Sequence, residues 1–176
     1  MDMDSRSARP TDLRSFIRER SGMRRCDLTP LFGSPEAFRQ TVFQMADPFR
    51  TKGVVKVAGL EGMGLPFAGA VAHELRCGLV LFRKPGLLAW ETCSVTFTDY
   101  TGESKAFEIA SDALTPGDRV LVVDDWAETG SQLHAAFQMI ERQGAEVMGA
   151  ALVNVDPTVK RDPRFHSYAL HAVLEY

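Results

Sequence analysis

Apolar and polar positions fall into blocks that read as strands followed by helices. Val120 to Val123 are four consecutive apolar residues, three of them β-branched, just after the turn-forming Pro116-Gly117-Asp118. That predicts a buried strand of a parallel sheet. Asp124 and Asp125 are expected to close it, and a short loop, Trp126 to Gln132, to lead into a helix. Leu133, Phe137 and Ile140, at i, i+4 and i+7, share one face of that helix, and Gly144 stands where a C-terminal cap belongs. The same alternation recurs upstream. Ser34-Pro35-Glu36 is a helix start with Ser as N-cap and Pro in the first turn, and Phe38, Val42 and Met45 form its apolar stripe. Val54 to Leu60 reads as a strand ending at Glu61-Gly62-Met63-Gly64, and Leu65 to Leu75 as an apolar helix.

A third strand, Leu79 to Phe82, ends at Arg83-Lys84-Pro85-Gly86. Glu91 to Thr98 and Ala106 to Ala110 read as hairpin arms around the polar turn Asp99 to Ser104. Glu146 to Val155 is another apolar strand, and the alternating tail from Phe165 to Tyr176 a last strand or part of a small covering lobe. Thr11 to Arg20 is expected to form a short helix, with Leu13, Phe16 and Ile17 inward and Arg14, Arg18 and Arg20 outward. Residues 1 to 10 are expected to be disordered. The pattern predicts an α/β fold, a central mostly parallel sheet flanked by helices. Residues 1–22 form a polar N-terminal segment with a short helix, and 23–176 a single domain.

Composition narrows the function classes. The 176 residues are 45% hydrophobic and 24% charged, ordinary values for a globular domain able to bury a core. A net charge of −3 gives no electrostatic reason to bind nucleic acid or an anionic membrane. No apolar run approaches membrane-spanning length, and the N-terminus lacks a signal-peptide core. Cys26, Cys77 and Cys93 have no metal-like spacing, so thiols in a reducing cytoplasm are the expectation. His73, His134, His166 and His171 show no metal-like spacing either.

Candidate chemistry gathers at the strand ends. Thr129, Gly130, Ser131 and Gln132 offer backbone N–H groups and side-chain donors at a helix N-terminus, where the dipole favours a phosphate. Gly130 is expected to let the backbone curl round an anion. Asp124 and Asp125 suit diol hydroxyls or a hydrated magnesium ion. A ligand with a phosphate at one end and a ribose diol behind it satisfies both halves. Gly62 to Gly64 fails the dinucleotide spacing because Phe67 stands in place of the third glycine. Asp156 either accepts a hydrogen bond from a ligand amine or opens a turn with Pro157.

Val122-Val123-Asp124-Asp125-x-x-x-Thr129-Gly130 resembles the phosphoribosyl diphosphate (PRPP) motif of type I phosphoribosyltransferases. Asp27-Leu28-Thr29-Pro30-Leu31 is similar to a segment near the start of the adenine-specific members. The resemblance runs from about Asp27 to Tyr176. It implies the type I fold, with a small hood and a flexible hairpin loop that acts as a lid. It further implies transfer of a phosphoribosyl group from PRPP to a purine, adenine first, with release of pyrophosphate in purine salvage. Asp124 and Asp125 would hold the ribose and serve as catalytic residues, and Glu128, Thr129, Gly130, Ser131 and Gln132 the 5′-phosphate. Gly62, Met63, Gly64, Arg83 and Lys84 would lie near pyrophosphate, and Cys26 and Asp156 near the base. Mg²⁺ is the implied cofactor, without an assigned protein ligand, and a cytoplasmic homodimer the implied assembly.

The chain departs from the adenine-specific pattern at several positions. Met63 replaces an Arg, Leu87 a Lys, Tyr100-Thr101 a Glu-Tyr pair, Gln132 a Thr, and Asp156 an apolar residue. These changes leave room for xanthine, guanine or another acceptor, or for a PRPP-sensing protein without turnover.

Overall fold

The computed structural model describes residues 12–18, 26–99 and 101–174. The expectations for residues 1 to 10, and for Thr11, Arg20 and Tyr100, lie outside the described residues. The chain divides into two compact units, Met1–Thr41 and Val42–Tyr176.

In the first unit the expected helix over Thr11 to Arg20 is instead a single 3-10 turn, Leu13–Phe16. Asp12 caps it by accepting from the Arg14 N–H, and Ile17 already has extended backbone. A helix of two or three turns is too short to sustain itself without tertiary packing, and here the backbone turns extended at Ile17. Arg18 then pairs with Asp27 through reciprocal backbone hydrogen bonds of 3.1 and 2.9 Å. The Asp27 carboxylate accepts from the Thr29 N–H at 2.9 Å, starting helix α1, Thr29–Gly33. Helix α2, Pro35–Ala46, begins as expected, with the Ser34 hydroxyl accepting from the Ala37 N–H at 3.3 Å. Along α2, Phe38 is half-buried, and Val42 and Met45 are buried.

The second unit holds a five-stranded sheet with order β2-β1-β5-β6-β7. Its strands are β1 (Lys56–Leu60), β2 (Gly78–Phe82), β5 (Arg119–Ala127), β6 (Glu146–Val155) and β7 (Leu170–Leu174), all parallel to their neighbours. Parallel pairing requires crossovers. Helix α3 (Gly64–Leu75) links β1 to β2, and helix α4 (Ser131–Arg142) links β5 to β6. The short helix α5 (Pro157–Lys160) and a 3-10 turn, Pro163–Phe165, carry the chain from β6 to β7.

The crossover helices α3 and α4 cover opposite faces. Gly59 faces α3, since a Cβ built there would lie 2.5 Å from that of Ala68. Its neighbours Ala58 and Leu60 join the core on the α4 side, with Leu133, Phe137 and Ile140. The side-chain period of two along a strand explains this division. Strands β3 (Thr92–Thr98) and β4 (Ser104–Ala110) form the expected hairpin, closed between Thr98 and Ser104. Its base is anchored in the same core: Phe107 packs edge-on to Phe82 and tilted against Phe97, with ring centroids 6.0 and 4.8 Å apart.

Strand β5 departs from expectation. It runs on through both carboxylates to Ala127, and the loop before α4 shrinks to residues 128–130. The reason is non-local: β6 is ten residues long and supplies partners as far as Trp126↔Asn154 and Ala127↔Val155. Polar residues here stay in a strand because a neighbouring strand satisfies their backbone.

Candidate functional site

Between β1 and β5 the sheet order reverses direction, so the helices after these strands leave to opposite faces. Open parallel sheets bind ligands beyond the strand carboxyl ends at such a point. Gly62-Met63-Gly64 follows β1 at that crevice, and Glu128-Thr129-Gly130 follows β5. Neither α3 nor α4 has a side-chain hydrogen bond from its N-cap residue, Met63 or Gly130, and neither has an acid in its first turn. Two positive helix ends therefore open at one sheet edge, a setting for two anionic groups.

Asp124 lies between them. The residue is 5% exposed, and its carboxyl accepts from the Asp125 N–H at 2.9 Å. A Cβ on Gly64 would come within 2.5 Å of Asp124 Oδ1, so only glycine lets the start of α3 approach the strand this closely. Burial, followed by the charge of Asp125, pushes the Asp124 carboxyl well above the usual carboxylate range. Asp125, next along the strand, is half-buried, and its carboxyl group interacts with that of Asp124. Gly62 has φ of 107°, a conformation side chains rarely adopt, and its α-carbon faces open space.

Gly130 has φ of 70°, but its glycine serves packing as well as anion access. A Cβ there would meet Phe165 Cε2 at 2.6 Å and Val159 Cγ1 at 3.2 Å. The side of Gly130 that lacks a side chain is thus filled by the protein. Thr129 Oγ1 donates to Ser131 Oγ at 3.2 Å and accepts from the Ser131 N–H at 3.4 Å. Glu128 and Gln132 are half-buried on either side of this turn.

Arg83 and Lys84 leave β2 at the same sheet edge but differ in state. Arg83 Nε donates to Glu61 Oε2 at 2.5 Å, tying the end of β2 to the residue before Gly62. Its backbone pairs with Glu108 of β4 at 2.9 and 2.8 Å, and the Glu108 carboxylate accepts from the Gly86 N–H at 3.0 Å. The basic loop is thereby fastened to the hairpin. Lys84 is exposed. Asp156 caps α5, its Oδ1 accepting from the Thr158 N–H and hydroxyl at 2.8 and 2.6 Å. The turn reading of Asp156-Pro157 is therefore realised. Cys26 is half-buried beside Asp27 in the Met1–Thr41 unit.

Two polar centres escaped the sequence reading. At the hairpin tip the Asp99 carboxylate accepts from the Thr101 N–H (2.8 Å) and hydroxyl (2.6 Å), the Glu103 N–H (3.2 Å) and Lys105 Nζ. Lys105, then Thr101, hold its pKa far below the usual carboxylate range. Asp followed by Thr two residues on is a turn signal, but the closure by Lys105 needs the hairpin register. The second centre, around Arg164, adjoins the loop before α4. Among the described residues no three His, Cys, Asp or Glu side chains converge as a metal site.

The phosphoribosyl transferase domain model matches residues 44–173. The chain belongs to this phosphoribosyltransferase family. It is 43% identical over 146 residues to the adenine phosphoribosyltransferase of Dinoroseobacter shibae, covering 80% of this chain and 81% of that one. Among solved structures, the adenine phosphoribosyltransferase of Rhodothermus marinus superposes with a TM-score of 0.82 at 33% identity, over 92% of this chain and 94% of that one. The Saccharomyces cerevisiae adenine phosphoribosyltransferase, complexed with adenine and an imino-altritol bisphosphate, gives 0.82 at 25% identity over 92% and 96%. Members of a phosphoribosyltransferase family share this sheet, and the match spans both helix ends and the strand carrying Asp124 and Asp125.

Proposed function

We propose that this protein transfers the phosphoribosyl group of PRPP to adenine and releases pyrophosphate, a purine-salvage reaction. The observation that carries the reading is the pair of helix N-termini flanking two strand-borne carboxylates at one sheet edge. PRPP has that layout: a 5′-phosphate, a diol and a diphosphate. The names of the D. shibae and R. marinus relatives support adenine as acceptor.

In this reading the turn at Glu128, Thr129, Gly130, Ser131 and Gln132 takes the 5′-phosphate. Asp124 and Asp125 take the ribose hydroxyls. The Gly62-Met63-Gly64 turn and Lys84 receive the diphosphate, joined by Arg83 once it exchanges the Glu61 carboxylate for a phosphate oxygen. A purine nitrogen then forms its bond to the anomeric carbon as the bond to the diphosphate oxygen breaks. The purine nitrogen releases its proton to solvent, and the diphosphate leaves with the bonding electron pair. Positive charge develops on the ribose in that transition state, so carboxylates beneath the sugar and cations at the leaving group favour it over the ground state. A magnesium ion arriving with PRPP would be held through its water shell by Asp124 and Asp125, and would supply positive charge to the leaving diphosphate. Two adjacent carboxylates, with no third ligand converging among the described residues, fit a hydrated ion carried by PRPP better than a resident one. A cytoplasmic homodimer is the proposed working form.

A pyrophosphate-release assay with PRPP, Mg²⁺ and separate nucleobases tests the proposal. Release with adenine at rates well above those with guanine, xanthine and hypoxanthine is expected. Release with another base instead would reassign the acceptor. PRPP binding without release in any mixture would replace the enzyme by a sensor.

A further inference from the structure

Behind the loop that precedes α4 lies Arg164, an exposed cation held by contacts to three residues, Thr129, Asp162 and Phe165. Arg164 Nη2 donates to the backbone carbonyl of Thr129 at 3.1 Å. The same guanidinium is held by Asp162, with Nε and Nη2 at 2.9 and 2.6 Å from Oδ2, while the Arg164 N–H donates to Asp162 Oδ1 at 2.9 Å. Its Cζ lies 5.4 Å from the ring centroid of Phe165. That ring, 2% exposed, is the one packed against Gly130. The 3-10 turn Pro163–Phe165 thus grips two adjacent residues of the loop at once, Thr129 by its oxygen and Gly130 by its α-carbon.

We propose that Arg164 is a positioning residue for the 5′-phosphate: by holding the Thr129 carbonyl it aims the Gly130 N–H into the phosphate cradle. The geometry follows from the peptide unit. In a trans peptide the C=O and the following N–H point in opposite directions within one plane. Fixing the Thr129 carbonyl on Arg164 therefore turns the Gly130 N–H away from the Pro163–Phe165 turn. No acceptor among the described residues takes that N–H. Gly130 alone could rotate this peptide freely, since glycine populates both signs of φ. Arg164, kept in place by Asp162 and Phe165, removes that freedom before the ligand arrives, which is the preorganisation that oriented donors need. The guanidinium also draws electron density from the carbonyl, making the Gly130 N–H a stronger donor.

The inference rests on the proposed reading of the loop. The test is calorimetric titration of ribose 5-phosphate and, separately, of pyrophosphate, onto wild type, Arg164→Ala and Arg164→Lys. It is accompanied by kcat and KM for PRPP and by melting temperatures. Wild type should bind ribose 5-phosphate. If it does not, the loop assignment itself fails, whatever Arg164 does. Given that binding, Arg164→Ala should weaken ribose 5-phosphate about tenfold, on the scale of one charge-assisted hydrogen bond. Pyrophosphate affinity should stay unchanged, and the KM for PRPP should rise with kcat within about twofold. Arg164→Lys should recover a large part of the loss, because its ammonium can still reach a carbonyl and a carboxylate. Equal weakening of both ligands, or a lowered melting temperature with ribose 5-phosphate affinity intact, would assign Arg164 a purely structural role and overturn the inference.

Discussion

Asp124 shows how a binding residue can work against the stability of its own fold. Its buried carboxyl beside Asp125 ionises reluctantly, so above the ordinary carboxylate range the unfolded chain has released a proton that the folded chain still holds. Stability must then fall as pH rises from that range toward the raised value, and Asp124→Asn removes the effect. Asn keeps an acceptor for the Asp125 N–H. Asp124→Asn should therefore melt above wild type at pH 8, by a margin that narrows toward pH 4, in parallel thermal unfolding scans. PRPP affinity should move oppositely, since ribose hydroxyls and a magnesium complex favour the ionised carboxylate. Wild-type affinity should rise with pH through the titration of Asp124, with the slope absent in the variant. The identity of these acids was legible in the chain, as two carboxylates after an apolar run. Their position inside β5 was not, because it depends on how far β6 extends alongside. Arg164 and Asp162 left no sequence signal, being about 35 residues beyond the turn they support.

The loops before the two helices carry constraints of different origin. At Gly130 a left-handed backbone and the Phe165 ring both exclude a side chain. Gly130→Ala should cost about 2–4 kcal/mol in denaturant unfolding, summing the left-handed penalty and overpacking. Phe165→Ala in the same background should return part of it. The need for glycine was readable from the Thr-Gly sequence, whereas the neighbour enforcing it was not. After β1, the Glu61–Arg83 pair competes with any diphosphate for the guanidinium. Glu61→Gln should tighten product inhibition by pyrophosphate about two- to fivefold, the scale of a partly exposed ion pair. The hairpin offers a third case. Its arms were legible from alternation, but its tip is drawn together by Asp99 and Lys105 across the strand register. A carboxylate whose pKa is depressed contributes above its ordinary titration range and loses that contribution only far below it. Asp99→Asn should speed limited proteolysis at the tip at pH 7, and unchanged cleavage would show the clasp to be idle.

Across the molecule, the site is a consequence of strand order. The chain announces strand, turn and helix in succession, and that local alternation was sufficient to place each polar cluster at a strand's carboxyl end. It does not state that β1 lies between β2 and β5, a relation made by pairing residues about 60 apart. Only that adjacency brings the Gly62–Gly64 turn onto Asp124 and sets two helix ends over one crevice. The claim that joins every scale is that one pocket holds a sugar phosphate by a helix end and its hydroxyls by two carboxylates. Titration of PRPP with Mg²⁺ onto wild type and onto the Asp124→Asn, Asp125→Asn double variant measures it directly. Saturable binding by wild type, with a loss of about 100-fold or more in a double variant that remains folded, is the expected result. Equal affinity for both proteins would contradict it.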